Sequence, residues 1–153
     1  MRDVVFALLP NVVLLDLAGP SDAFRNANQK VPDSYRLRFV APTRSVQAAG
    51  GLELGGMEPL PPTLPDGTMV VLTGVAGESM KLEQPETRQL IEWLASGITR
   101  SGLLLCVCGG SVVAAKAGLL AGREFSAAEI RERTELVLDG RFARIVTTAD
   151  ALA

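Results

Sequence analysis

Short apolar runs recur along the chain and predict the strands of a buried sheet. Residues 4–9, 69–72 and 103–107 are each continuously apolar, which is typical of strands covered on both faces in a parallel sheet. Residues 35–41 alternate between polar and apolar side chains before they become apolar, and Pro42 ends the run. That pattern predicts a strand nearer the edge of the sheet.

The stretches between these runs predict turns and connections. Residues 46–48 and 52–54 flank a turn that contains two glycines, and they predict a small hairpin. Residues 55–67 contain four prolines and predict a surface connection within one domain. Residues 136–138 and 145–147 predict a second hairpin near the end of the chain, after a charged segment.

Three segments predict helices. Pro20 fits the first position of a helix that runs to about Gln29. Residues 85–97 predict an amphipathic helix whose apolar face carries Leu90, Ile91, Leu94 and Ile98. A third helix follows the last apolar run and ends at Gly118. Together these elements predict one α/β domain over residues 1–153, with a mostly parallel central sheet sandwiched by helices.

The last apolar run leads into two glycines and then small residues, which is a strand-turn-helix pattern with Cys108 at the turn. Such a turn strains the backbone at one residue and presents its side chain near the N-terminus of the next helix, where a thiolate is favoured. Cys108 is therefore the candidate nucleophile. The alternative is that Cys108 is a small buried hydrophobe, the commoner fate of a free cysteine. Cys106 is expected to be buried packing.

Asp16 interrupts an apolar segment, because Leu15 and Leu17 flank it. One interpretation makes Asp16 a cap or turn acceptor for a bend at Gly19 and Pro20. The other makes it a buried acid that exchanges a proton with a neighbouring group. The residues alone favour the first interpretation.

The composition of the chain argues against several classes of function. Lys and Arg number 15 against 17 Asp and Glu, so the formal net charge is −2 and gives no electrostatic case for nucleic acid or an anionic membrane. No apolar run reaches the roughly 18 residues of a spanning helix, and no signal peptide precedes the first predicted strand. These features predict a cytoplasmic protein.

The chain has no histidine, which excludes Ser-His-Asp and Cys-His catalysis and removes imidazole as acid, base or metal ligand. Any catalysis must use thiol, carboxylate and backbone groups. Cys106 and Cys108 are the two cysteines. A disulfide across one residue would be strained, and no further Cys or His completes a zinc site, so we expect no metal and no cofactor.

Three stretches resemble the ThiJ/PfpI superfamily of class I glutamine amidotransferase-like proteins. The branch they resemble holds the isocyanide (isonitrile) hydratases and the amidase-like sensor domains of AraC-type regulators. Residues 15–20 are similar to the acid loop of that branch, residues 72–74 to its glycine turn, and residues 108–123 to its nucleophile elbow and helix. The resemblance covers about residues 3–123.

This resemblance implies a flavodoxin-like parallel sheet, usually in a homodimer, with Cys108 as the nucleophile and Asp16 as the neighbouring acid. It favours the proton-exchange interpretation of Asp16 over the cap. Gly74, Gly109 and Gly110 then line the pocket that binds the substrate or its anion.

Two features depart from the branch. Gly109 stands where the hydratases usually carry a threonine that helps to orient the substrate. Beyond Arg123, residues 124–128 replace the usual Thr-Thr-His-Trp motif. The domain is therefore expected to be divergent or truncated from about residue 124.

These observations favour an enzyme in which Cys108 attacks a small electrophile and Asp16 moves the proton, best described as isonitrile hydratase-like. The partner is then a small-molecule electrophile. One alternative is glyoxalase or deglycase chemistry on α-oxoaldehydes by the same two residues. A third hypothesis is a ligand-sensing domain without turnover, like that of AraC-type regulators.

Overall fold

The computed structural model describes residues 1–76, 82–98 and 102–119. Within these ranges the central sheet contains the strands β1 Arg2–Ala7, β2 Tyr35–Ala41, β5 Glu58–Pro59, β6 Met69–Leu72 and β7 Leu103–Cys106. These five strands are parallel and lie in the order β5-β2-β1-β6-β7. The predicted mostly parallel sheet is therefore confirmed, and the strand order reverses direction between β1 and β6.

The remaining elements flank this sheet. Strands β3 (Ser45–Gln47) and β4 (Glu53–Gly55) form the predicted antiparallel hairpin. The helices are α1 Leu14–Lys30, α2 Pro85–Gly97 and α3 Gly110–Lys116. Gly118, at φ 73°, ends the third helix as predicted, because the Leu119 N–H donates to the Ala114 carbonyl in a left-handed cap.

Alternation along the strands divides the core between the two faces of the sheet. Val5 and Leu72 lie in a cluster that includes side chains of α2 and α3. Phe6 and Val71 lie in a second cluster, against which Leu17 of α1 packs. Each fully buried aliphatic or aromatic side chain contributes roughly 1.5–3 kcal/mol, so both clusters stabilise the sheet.

Helix α1 is held at its two ends, although none of its residues is fully buried. At its C-terminal end the Asn28 side chain donates to the Tyr35 carbonyl and accepts from the Tyr35 N–H, both at 2.8 Å. At its start the Val13 N–H donates to the Gly74 carbonyl at 2.9 Å. The helix is therefore placed by polar contacts at its ends as much as by burial.

Two predictions about single elements were wrong. Helix α1 begins at Leu14, six residues before Pro20, and the proline lies inside it. Proline has no N–H, so the Asp16 carbonyl receives no helical hydrogen bond from residue 20. Strand β7 is not covered on both faces, because Leu103 and Leu105 are 47% and 41% exposed.

The proline-rich connection is more ordered than its composition suggests. It contributes the short strand β5, and the indole N–H of Trp93 donates to the Pro61 carbonyl at 2.6 Å. Within the described ranges, no helix has both the length and the apolar character needed to cross a bilayer. The charged segment and second hairpin predicted after residue 122 lie outside the described residues.

Substituting Gly110 tests how closely α3 approaches the sheet. A Cβ at Gly110 would overlap the Leu72 carbonyl, with the Leu72 Cβ also only 3.1 Å away. We expect Gly110→Ala to lower the free energy of unfolding by about 1–3 kcal/mol, because the obstructing atoms are backbone. Urea denaturation measures this.

The matched control is Gly55→Ala, since Gly55 has open space around its Cα and an ordinary φ. Its effect should stay within about 0.5 kcal/mol. Equal effects of the two substitutions would contradict the close approach of α3.

Candidate active site

Three chain segments meet at the carboxyl edge of the sheet. They are the β1–α1 connection, the segment that follows β6, and the turn between β7 and α3. The meeting point lies beside the β1–β6 pair, where the strand order reverses. Ligands of open α/β sheets bind in the crevice at such a point.

Cys108 occupies the turn between β7 and α3. Its φ is 52°, a left-handed conformation that non-glycine residues seldom adopt, and its side chain is exposed. The Ser111 hydroxyl donates to the Cys108 carbonyl at 3.1 Å, and the Gly110 N–H donates to the Val107 carbonyl at 2.9 Å. The predicted strained turn is confirmed, and local hydrogen bonds fix it.

Gly74 is the point at which Asp16 and Cys108 come together. A Cβ built on Gly74 would lie 2.9 Å from the Cys108 Cβ and 3.2 Å from its Sγ, and closer still to Asp16 Oδ2. The carboxylate oxygen and the sulfur are therefore both within 3.2 Å of one point. No hydrogen bond joins Asp16 Oδ2 to the sulfur, so a proton that passes between them needs a bridging water.

Backbone hydrogen bonds hold Asp16 over Gly74. The Asp16 N–H donates to the Val13 carbonyl at 3.1 Å, and Val13 in turn donates to Gly74. The Ala76 N–H donates to the Asn11 carbonyl at 2.9 Å, so the segment before α1 runs antiparallel to the segment after β6. Asn11 adopts φ 63°, which turns the chain out of β1.

The β3–β4 hairpin braces this segment from its other side. The Asn11 N–H donates to the Gln47 carbonyl at 2.7 Å, and the Ala49 N–H donates to the Val12 carbonyl at 3.0 Å. Val12 is fully buried between the hairpin and the segment after β6. The acid is thus fixed by three neighbouring pieces of backbone.

Several polar groups at this edge have no partner in the described part of the chain. Asp16 Oδ2 and Thr73 Oγ1 are buried without a hydrogen bond. The N–H groups of Gly74 and Gly109 donate to no acceptor among the described residues. A buried acceptor next to free amide donors is suited to binding a small polar molecule.

The structure brings Cys108, Asp16 and Gly74 together, as the resemblance implies. The cap interpretation of Asp16 was wrong, since Gly19 and Pro20 lie within α1 and form no bend there. The Gly109 N–H, beside Cys108, donates to no acceptor in the described part of the chain, whereas the Gly110 N–H donates to the Val107 carbonyl. Gly110 therefore serves close packing in the turn, and its predicted place in the anion pocket has no amide donor to support it.

Cys106 differs from Cys108 in its surroundings. It is half-buried and packs against the cluster on the α2 and α3 side of the sheet. Burial raises the pKa of the Cys106 thiol above its ordinary value, because burial disfavours the thiolate. Cys106 is therefore a packing residue, which is close to its predicted role.

Thr73 is the residue that sequence reasoning missed. Its side chain is 4% exposed, and its hydroxyl has no partner in the described structure. The available signal was a polar residue that interrupts an apolar run just before Gly74, as Asp16 interrupts its own segment. Among the described residues, no group of three or more acidic, Cys or His side chains could hold a metal ion.

Comparison with solved structures identifies the fold. The chain superposes on a ThiJ/PfpI family protein from Pseudomonas syringae with a TM-score of 0.61 and 21% identity, covering 79% of this chain and 48% of that one. An AraC family transcriptional regulator from Pseudomonas putida gives 0.61 and 22%, covering 78% and 63%. DJ-1beta from Drosophila melanogaster gives 0.55 and 20%, covering 79% and 62%.

These similarities show the fold, and they confirm the α/β architecture implied by the sequence resemblance. The chain spans less than two thirds of the length of each of these three proteins. No protein-family model and no curated protein matches the sequence.

The contrast between the two thiols predicts selective modification. At pH 8, iodoacetamide should label Cys108 and leave Cys106 unmodified, because burial keeps the Cys106 thiol protonated and Cys108 is exposed. Intact mass and peptide mapping measure the labelling. Labelling of Cys106 should begin only as the pH rises toward its raised pKa.

Cys108→Ser should abolish the labelling, and the control Cys106→Ser should leave its rate unchanged. Labelling of Cys106 at a rate equal to that of Cys108 would contradict the assignment.

Proposed function

We propose that this chain, which has the fold of the ThiJ/PfpI and DJ-1 structures, is a cysteine-dependent enzyme that adds water to a small electrophile. The substrate class that we favour is an isocyanide, and the product is then an N-substituted formamide. Cys108 is the nucleophile, and Asp16 is the group that moves protons.

One observation carries this proposal: Asp16 Oδ2 and Cys108 Sγ share the space beside Gly74 in a chain without histidine. Thiol chemistry needs an acid or base close to the sulfur, and the Asp16 carboxyl group shares the space beside Gly74 with it. The unpartnered Asp16 oxygen is available for this exchange. Cys-His proteases and glutamine amidotransferases use an imidazole that this chain lacks.

The first half of the reaction forms a covalent adduct. The Cys108 thiolate attacks the terminal isocyanide carbon, and a C–S bond forms. The electron pair left on that carbon takes a proton from the Asp16 carboxyl group, which gives a thioimidate. The N–H groups of Gly74 and Gly109, which have no acceptor within residues 1–76, 82–98 and 102–119, can stabilise negative charge that develops beside Cys108.

The second half adds water to the thioimidate. A water oxygen bonds to the carbon as Asp16 accepts one of its protons, and Asp16 then passes that proton to the nitrogen. The tetrahedral adduct collapses as the C–S bond breaks, and the hydroxyl proton goes to the Cys108 sulfur. Its transfer from the sulfur to Asp16 restores the starting thiolate and acid. The sum is one isocyanide plus one water giving one formamide, with no change in oxidation state and no cofactor.

The same two residues could act on α-oxoaldehydes, since a thiolate also adds to an aldehyde carbon. A hemithioacetal on Cys108 then replaces the thioimidate, and Asp16 again moves the proton. Comparing benzyl isocyanide with phenylglyoxal as substrates separates the two reactions.

Ligand sensing without turnover is the second candidate function. The observation that favours it is the similarity to the AraC family transcriptional regulator. A sensor should bind small electrophiles and melt at a higher temperature in their presence. It should do so without forming product.

The catalytic proposal predicts how substitutions of Cys108 and Asp16 change turnover. With benzyl isocyanide as substrate, Cys108→Ala should lose turnover, and Asp16→Asn should lower kcat by about 10²-fold or more, because an amide cannot transfer the proton. Chromatography of N-benzylformamide measures the rate. The matched control is Asp22→Asn, since Asp22 is an exposed residue of α1 that pairs with Arg25.

Asp22→Asn should stay within about twofold of the wild-type rate. Full activity in Cys108→Ala would contradict the proposal. Ligand-induced stabilisation without product would favour the sensor.

A further inference from the structure

Two buried oxygens at the site lack hydrogen-bond partners among the described residues: Asp16 Oδ2 and Thr73 Oγ1. Folded proteins leave few buried polar atoms unpaired, since each loses its hydration without a replacement. Both atoms lie at the same edge of the sheet, on residues that contact or adjoin Gly74. A single bound molecule that pairs with both oxygens would explain why neither has a partner.

Thr73 and Asp16 approach this place from the sheet and from α1. Thr73 directly follows the last residue of β6, and its side chain is buried. Asp16 lies in the first turn of α1 and reaches Gly74, the residue that follows Thr73. The two oxygens therefore belong to residues that meet at the carboxyl end of β6.

A water molecule satisfies the needs of both groups at once. It can donate one hydrogen to Asp16 Oδ2 and accept a hydrogen from the Thr73 hydroxyl, which is both donor and acceptor. Buried waters typically make about three such bonds to groups that are otherwise unsatisfied. The Gly74 N–H, without an acceptor among the residues that the structure describes, is a further donor at this place.

We propose that Thr73 and Asp16 together hold one water molecule beside Cys108, and that this is the water consumed in the reaction. The binding of the water stands on the two unpartnered oxygens. Its consumption rests on the proposed function. In that step the water oxygen bonds to the thioimidate carbon, one proton passes from the water to Asp16, and Asp16 delivers that proton to the nitrogen. Thr73 is then a positioning residue for the second half of the reaction.

The first experiment tests the water without using activity. Thr73→Val keeps the side-chain shape and replaces the hydroxyl with a methyl group. If the hydroxyl holds a water with Asp16, Thr73→Val should lower the urea midpoint, and the shift should shrink by at least half in an Asp16→Ala background, because residues that share a partner are coupled. The control Thr73→Ser should stay near the wild-type midpoint.

A rise of the urea midpoint in Thr73→Val would contradict the bound water. If the hydroxyl has no partner, replacing it with a methyl group removes a buried unsatisfied group and raises the midpoint. A rise of the same size in both backgrounds would therefore disprove a shared water.

The second experiment tests the role of the water in the reaction. In a single turnover with benzyl isocyanide followed by intact mass, the Cys108 adduct should form within twofold of the wild-type rate in Thr73→Val. Its hydrolysis should be slowed at least tenfold, so that the adduct accumulates. Thr73→Ser should restore hydrolysis, which a role in packing alone does not explain.

The outcomes separate the two proposals. Unchanged hydrolysis in Thr73→Val, or equal slowing of both halves, would overturn the positioning role of Thr73. If wild-type Cys108 forms no adduct with benzyl isocyanide, the proposed function fails. The urea measurements then still decide whether Thr73 and Asp16 share a water.

Discussion

The site depends on a residue without a side chain. Gly74 leaves the space in which the Asp16 carboxylate and the Cys108 thiol meet, and any Cβ there would overlap both residues. The ordinary reasons for glycine do not apply, because the φ of Gly74 is not positive. Glycine is needed here because the backbone of residue 74 lies in close contact with both the Asp16 carboxylate and the Cys108 side chain. The Gly74 N–H, which donates to no acceptor among the described residues, lies beside the reacting groups.

A second constraint explains why Asp16 stays in place on a helix with no fully buried residue. The backbone before α1 is hydrogen-bonded to the β3–β4 hairpin on one side and to the segment after β6 on the other. Buried Val12 sits between them. The hairpin, which adds no residue to the site, thus contributes to its geometry. Cys108 is fixed differently, by bonds within its own turn and by the contact of Gly110 with Leu72.

Much of the fold follows from local pattern. Apolar runs such as residues 69–72 indicated the central strands, and the turn at Cys108 followed from a strand that ends in a thiol and two glycines. The start of α1 was mispredicted because Pro20 is a common first residue of helices, and tertiary contacts at Val13 outweighed this preference. The proximity of Asp16 to Cys108 came from the family resemblance, since no local pattern reports a contact across 92 positions. The sequence could not predict that the Thr73 hydroxyl lacks a hydrogen-bond partner in the described structure. That property depends on which atoms surround the hydroxyl in the fold.

The parallel order of the strands has a consequence for how the site comes into being. Asp16, Gly74 and Cys108 follow three different strands, and β1, β6 and β7 must all pair before these residues meet. Non-local pairing of this kind makes folding slow, because long loops close before contacts compensate for the lost chain entropy. During synthesis the acid emerges long before the thiol, so a nascent chain carries Asp16 without its neighbour Cys108. The proximity of these two groups therefore requires that β1, β6 and β7 have paired, and the chemistry of the thiol is coupled to that pairing.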